Sequence, residues 1–152
     1  MSTKWLVPYL TAGFRELDWF EPLVKTLDDH GSDIIEIGVP FSDPIADGPT
    51  IQASSQRALD NGVTAEWVLQ EMMRFKDDLK ARTIFFSYIN PLLSLGGYDG
   101  AAEKLAQAGF HGVLIPDLAL EQAEPLVNAL QKHDLHYIPL IAPTTTQERL
   151  CW

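Results

Sequence analysis

The chain holds a single cysteine, Cys151. One cysteine excludes an intrachain disulfide and any cysteine-built metal cluster, and a chain so poor in thiols is expected in the reducing cytoplasm. No apolar run approaches the ~20 residues of a membrane-spanning helix. Lys4 followed by Trp5–Ala12 faintly imitates a secretory leader. Pro8 interrupts that short run, so a first strand is the better reading. Positive charge is scarce too: 11 Lys and Arg stand against 21 Asp and Glu, for a net charge of −10. Without a basic patch, nucleic acid is excluded as a partner. No block of five like charges occurs, so the acids read as a solvated surface. The four histidines are scattered, and His133-x-x-His136 straddles a helix end and a strand start, so no metal site is expected. Neither an internal repeat nor a linker is visible, and residues 1–152 read as a single domain.

What is present is alternation. The chain is 46% hydrophobic and 21% charged, which suits one globular unit. Strands are expected at Trp5–Leu10, Ile34–Gly38, Thr83–Tyr88, Gly112–Ile115 and Tyr137–Ile141. Between them stand helical patterns. Leu17, Phe20, Leu23, Val24 and Leu27 share one face, with Pro22 either kinking that helix or moving its start later. His30-Gly31 closes it. Thr50 is expected to cap a second helix, and Thr64 a third that carries Trp67, Val68, Met72, Phe75 and Leu79. Asn90-Pro91 opens a loop expected to run to Gly96-Gly97. Further helices are expected over Gly100–Ala108 and Glu121–His133, with a first turn of another at Gln147–Leu150. Five βα repeats mean a parallel sheet. Periodicity alone does not separate a doubly wound sheet from a barrel.

The chain is organised around residues 34–54, IIEIGVPFSDPIADGPTIQAS. Parallel strands covered on both faces read as continuous apolar runs, so Glu36 inside this one needs a reason. Desolvation raises a carboxyl's pKa, which is the tuning a general acid/base requires near neutral pH. Position alone leaves a second reading open: an acid that reaches a loop amide or a lysine. The strand feeds a turn-rich loop with two more acids, Asp43 and Asp47, each of which also reads as an ordinary turn aspartate. Tyr9, Ile51, Phe86, Tyr88 and Leu114 fall on strand ends or in the segments after them, where core packing is the plain reading. Asn90 and Asp117 are strand-end polar residues. In α/β architectures, the carboxyl ends of strands carry the chemistry.

The gapless run Glu36–Gln52, EIGVPFSDPIADGPTIQ, resembles the signature of the tryptophan synthase alpha chain family. The likeness extends more loosely from Val7–Gly13 through Ala142–Thr146. It covers nearly all of this chain and a little over half of the family's usual length. The resemblance implies a (β/α)8 TIM barrel, present here as an incomplete barrel of about five parallel strands. It implies retro-aldol cleavage of indole-3-glycerol phosphate to indole and glyceraldehyde 3-phosphate. Glu36 would be the catalytic acid/base, and Asp47 would accept a hydrogen bond from the indole N–H. Tyr9, Ile51, Phe86 and Leu114 would line the indole pocket, and Tyr88 would be an active-site tyrosine. Asp43, Pro44 and Asn90 would face a beta chain. The enzyme would need no cofactor of its own, since pyridoxal phosphate belongs to that beta chain.

Three departures stand out. Only Met1–Lys4 precede strand one, where the family has a helix. Phe14-Arg15 replaces the usual turn after Thr11-Ala12-Gly13. The family's C-terminal βα units, with the phosphate-binding loops of such barrels, have no counterpart, and Leu150-Cys151-Trp152 reads as foreign to its helix. The expectation is that these 152 residues alone show no lyase activity and at most dock on a beta chain.

Overall fold

The computed structural model describes residues 4–149. The first strand, β1 (Tyr9–Thr11), is shorter and later than expected. Pro8 has no N–H to give a ladder, and the N–H of Leu6 goes instead to the Asp33 carboxylate at 2.7 Å. Trp5, Leu6 and Val7 therefore lie exposed beside the start of the next strand. A 3-10 turn at Leu17–Trp19 leads into α1 (Phe20–Asp29). Pro22 falls in its first turn, where a missing N–H costs nothing. Gly31, at φ 87°, ends it as expected.

Strand β2 (Ile34–Gly38) matches its expected span. Helix α2 (Pro49–Asp60) starts with Gly48 as its cap residue and Pro49 in the first position, so Thr50 is not the cap. Helix α3 (Ala65–Phe75) is capped by Thr64, whose hydroxyl accepts the Trp67 N–H at 3.1 Å. Strand β3 covers Arg82–Phe86. The loop expected after Asn90 is instead a helix, α4 (Ile89–Ser94). Pro91 sits in its first turn, and the Asp117 carboxylate, far along the chain, accepts the Ile89 N–H at 3.0 Å. Helix α5 covers Gly97–Gln107 and β4 covers Gly112–Leu114. A 3-10 turn at Leu120–Gln122 precedes α6 (Glu124–Gln131). Strand β5 shrinks to His136–Tyr137, and Leu140 and Ile141 stand 62% and 64% exposed. The turn expected at Gln147–Leu150 ends on a residue outside the described range, as do Cys151 and Trp152. No described helix is long and apolar enough to cross a membrane.

All five strands are parallel and lie in the order β1-β2-β3-β4-β5. Each crossover steps one strand in the same direction. A doubly wound sheet would reverse its order at a switch point, so this is the winding of a barrel. Ladder partners share a face, and residues two apart return to it. One face carries Leu10, Ile35, Ile37, Phe85 and Val113, buried against Phe20, Val24, Met72, Leu105 and Leu126 of the helices. The opposite face carries two rows. Tyr9, Glu36, Ile84, Gly112 and His136 form the first; Thr11, Gly38, Phe86 and Leu114 form the second, nearer the carboxyl ends.

One buried acid holds the layers together. Asp28, 7% exposed at the end of α1, accepts the N–H groups of Lys80 and Ala81 at 3.0 and 2.6 Å. Asp28→Ala strands two backbone donors ahead of β3 and is expected to cost about 1–3 kcal/mol. Asp28→Asn keeps an acceptor oxygen and should cost less; urea unfolding midpoints measure both.

Candidate active site

The face of the sheet turned away from the helices carries Tyr9, Glu36, Phe86 and Leu114, and the segments after the strands add Asp47, Ile51 and Tyr88. Glu36 sits in the middle of β2, between Tyr9 on β1 and Ile84 on β3. It is half-buried, and burial holds its carboxyl above the ordinary carboxylate range. Among the described residues no side chain hydrogen-bonds to it or pairs with it. An acid desolvated without a partner is poised to exchange protons and is not committed to holding structure.

Asp47 is presented by the loop from β2 to α2. That loop is braced by its own backbone: Asp47 N–H donates to the Pro44 carbonyl at 3.1 Å, and Ile45 N–H to the Asp43 carbonyl at 2.9 Å. Gln52 Nε2 ties the Asp47 carbonyl to α2 at 2.8 Å. The carboxylate itself is held from across the sheet. Tyr88, just past β3, donates its hydroxyl to Asp47 Oδ2 at 3.1 Å and accepts the Ala46 N–H at 2.9 Å. Phe41 stacks on the Tyr88 ring with centroids 5.2 Å apart. Burial, opposed by the Ala46 N–H and reinforced by Asp47, pushes the Tyr88 phenol up to about 12. It therefore remains a neutral donor at any physiological pH.

Tyr9 is the ladder partner of Glu36 and feels the charge of both acids. Its ring meets Phe86 edge-on at 5.4 Å. Its hydroxyl lies over Gly38 so closely that a Cβ there would come within 2.0 Å of it. Burial raises the Tyr9 phenol; a hydrogen bond from Thr11 opposes this, and the Asp47 and Glu36 charges add to the rise. Phe86 and Leu114 continue the second row, and Leu114 is 3% exposed. Ile51 stands half-buried in the first turn of α2. Six apolar or aromatic groups thus adjoin two carboxylates held apart on different elements.

The remaining three residues lie at the same end but face outward. Asp43 is exposed and accepts the Ser42 hydroxyl at 2.6 Å; Pro44 is half-buried, and Asn90 is exposed in the first turn of α4. Ile45, at the loop tip, is 84% exposed. Sequence reasoning gave no functional role to Thr11, Gly38 or Ser54. Period-two spacing from Tyr9 and Glu36 marks Thr11 and Gly38; nothing local marks Ser54. A cavity of about 670 Å³ lies elsewhere, beneath residues 139–149 beside β4 and β5, and neither acid lines it. Among the described residues no group of His, Cys, Asp and Glu is arranged to hold a metal.

The family model for the tryptophan synthase alpha chain matches residues 1–151. The chain belongs to the tryptophan synthase alpha chain family. A tryptophan synthase alpha chain of Desulfovibrio desulfuricans is 46% identical over 145 residues, covering 95% of this chain and 56% of the relative. That of Arabidopsis thaliana is 41% identical over 145 residues, covering 95% and 52%. Among solved structures, tryptophan synthase subunit alpha of Legionella pneumophila superposes with a TM-score of 0.93 at 37% identity, covering 97% of this chain and 56% of that one. A chain in a tryptophan synthase complex of Pyrococcus furiosus superposes at 0.89 with 33% identity, covering 95% and 60%. This tryptophan synthase alpha family member spans little more than half the length of these relatives. The family is one of lyases in tryptophan biosynthesis, and the five-stranded winding is part of its barrel.

Proposed function

We propose that this chain carries the acid/base half of an indole-3-glycerol-phosphate lyase, releasing indole and glyceraldehyde 3-phosphate. The observation that supports it is the pairing of a desolvated, partnerless Glu36 with a braced Asp47 across a face of aromatic residues. The bond to be broken joins indole C3 to the carbon bearing a hydroxyl. Protonation at C3 by Glu36 turns the ring into an iminium cation, which a fixed Asp47 carboxylate at the ring N–H stabilises. The Glu36 carboxylate then takes the hydroxyl proton. A carbonyl forms, the carbon–carbon bond breaks, and its electrons restore the neutral indole. Glu36 ends protonated, as it began. Two acids serve two roles because their surroundings differ. No cofactor is required of this chain; the pyridoxal phosphate belongs to a beta chain. The exposed loop tip at Asp43, Pro44 and Ile45, with Asn90 beside it, is the surface proposed for docking that partner.

The test is release of indole by a completed chain, residues 1–149 joined to the C-terminal remainder of the Desulfovibrio desulfuricans relative. A folded completed chain that leaves indole-3-glycerol phosphate intact refutes the proposal. The 152 residues alone are expected to release none, because five strands leave the barrel open and the substrate phosphate is without the loops that such barrels use to hold it. Docking without turnover is the second reading for that form. Turnover by the 152 residues within tenfold of the completed chain would overturn it.

A further inference from the structure

Three hydroxyls run in a line from α2 to the centre of the site. Ser54 Oγ lies 2.8 Å from the Ile51 carbonyl and 2.8 Å from Thr11 Oγ1. Thr11 Oγ1 lies 3.4 Å from the Tyr9 hydroxyl. Thr11 is 4% exposed, so water does not compete freely for its proton. Each hydroxyl has one proton to donate, and Thr11 Oγ1 gives its own to the Tyr9 hydroxyl. The Ser54–Thr11 contact is then donated by Ser54, which has the Ile51 carbonyl as its alternative acceptor. The Tyr9 oxygen is thus engaged as an acceptor, and its own proton is left free to point into the site.

The Thr11–Tyr9 link is the weak one, since 3.4 Å is long for a hydroxyl pair, whose usual range is about 2.5–3.0 Å. The Tyr9 ring cannot swing away to break the link by itself. Phe86 abuts it edge-on, and its hydroxyl is seated over Gly38 where no side chain would fit. Only the proton is free to turn. What it turns toward is an oxygen acceptor on the face that Tyr9 shares with Glu36, where the scissile carbon of the proposed substrate must lie.

We propose that the Tyr9 hydroxyl is a hydrogen-bond donor to the side-chain oxygen of the substrate, and that Thr11 and Ser54 are positioning residues that hold its oxygen so that its own proton faces the site. This rests on the function proposed above. As the carbon–carbon bond breaks, that oxygen passes from hydroxyl to carbonyl while losing a proton to Glu36, and partial negative charge collects on it. A donor already aimed there is worth more at that moment than in the ground state. Tyr9 thus contributes its hydroxyl to catalysis as well as its ring to the pocket.

The experiment compares Tyr9→Phe, Thr11→Val, Thr11→Ser and Ser54→Ala in the completed chain, with Glu36→Gln as the control for the function itself. Tyr9→Phe keeps the ring against Phe86 and is expected to lower kcat by roughly 10- to 100-fold, between the loss of a neutral hydrogen bond and of a full oxyanion donor. KM should change less than about threefold, which a general packing defect would not give. Thr11→Val should lose part of that rate and Thr11→Ser should restore it, with Ser54→Ala smaller than either loss. Should Tyr9→Phe fail to fold, the Thr11→Val and Thr11→Ser pair still cuts and restores the line. Wild-type kcat in Tyr9→Phe, or equal losses in Thr11→Val and Thr11→Ser, overturns the inference while an inactive Glu36→Gln leaves the function standing. An active Glu36→Gln, or a completed chain with no turnover, overturns the function and this inference with it.

Discussion

Glu36→Gln is expected to stop indole release in the completed chain, by at least about 10³-fold, while indole-3-glycerol phosphate still binds. Glutamine keeps the size and shape of the side chain and removes its exchangeable acid proton. General acid–base catalysis alone contributes typically ~10²–10⁴-fold, and here one carboxyl serves both proton transfers, so its loss blocks both. No neighbour can replace it. Along its row of the sheet, the adjacent titratable group is Tyr9, whose phenol is raised by burial and holds its proton, and His136 stands three strands away. Glu36→Asp retracts the carboxyl by one methylene and should keep a small residue of activity. Stopped-flow indole release reads the chemistry, and equilibrium dialysis of the substrate reads binding. Near-normal turnover in Glu36→Gln would remove the assignment.

How far such residues can be found without coordinates depends on what makes each one conspicuous. Glu36 was legible because a single acid interrupts an apolar strand, and burial by neighbouring strands is implied by that run itself. Its meeting with Tyr9 was not, because alternation says which residues of one strand share a face and is silent on register between strands. The same limit left the winding open: five βα repeats fit a barrel or a doubly wound sheet, and only the strand order decides. Helix α4 was missed for a different reason. Asn90-Pro91 is a turn signal in local terms, but Asp117 supplies from another loop the acceptor that the helix start needs. The start of β1 was misplaced by a similar distant partner, Asp33, which takes the Leu6 N–H out of any ladder. Long-range hydrogen bonds from side chains to backbone account for both errors, and neither leaves a trace in local sequence.

Asp47→Ala is expected to lower turnover by ~10²–10³-fold, the usual cost of removing one preorganised electrostatic partner from a developing charge. The carboxylate does not move a proton in the proposed reaction, so its value lies in where it is held. The holding is visible: the loop backbone turns at Pro44, Gln52 anchors the Asp47 carbonyl, and Tyr88 grips the carboxylate at 3.1 Å while receiving the Ala46 N–H. Asp47→Glu keeps the charge but displaces it by a methylene from that grip, so it should retain more activity than the alanine variant. Tyr88→Phe keeps the stack on Phe41 and frees the carboxylate to rotate; a loss of roughly tenfold is expected, as for one hydrogen bond to a charged group. Because Asp47 stabilises the cation and not the bound substrate, these losses should fall on kcat, with KM nearly constant. Alanine and glutamate variants both near the parent rate would mean that no carboxylate is needed at the ring nitrogen. Loss confined to KM would mean that Asp47 only binds the indole N–H and takes no part in stabilising the cation.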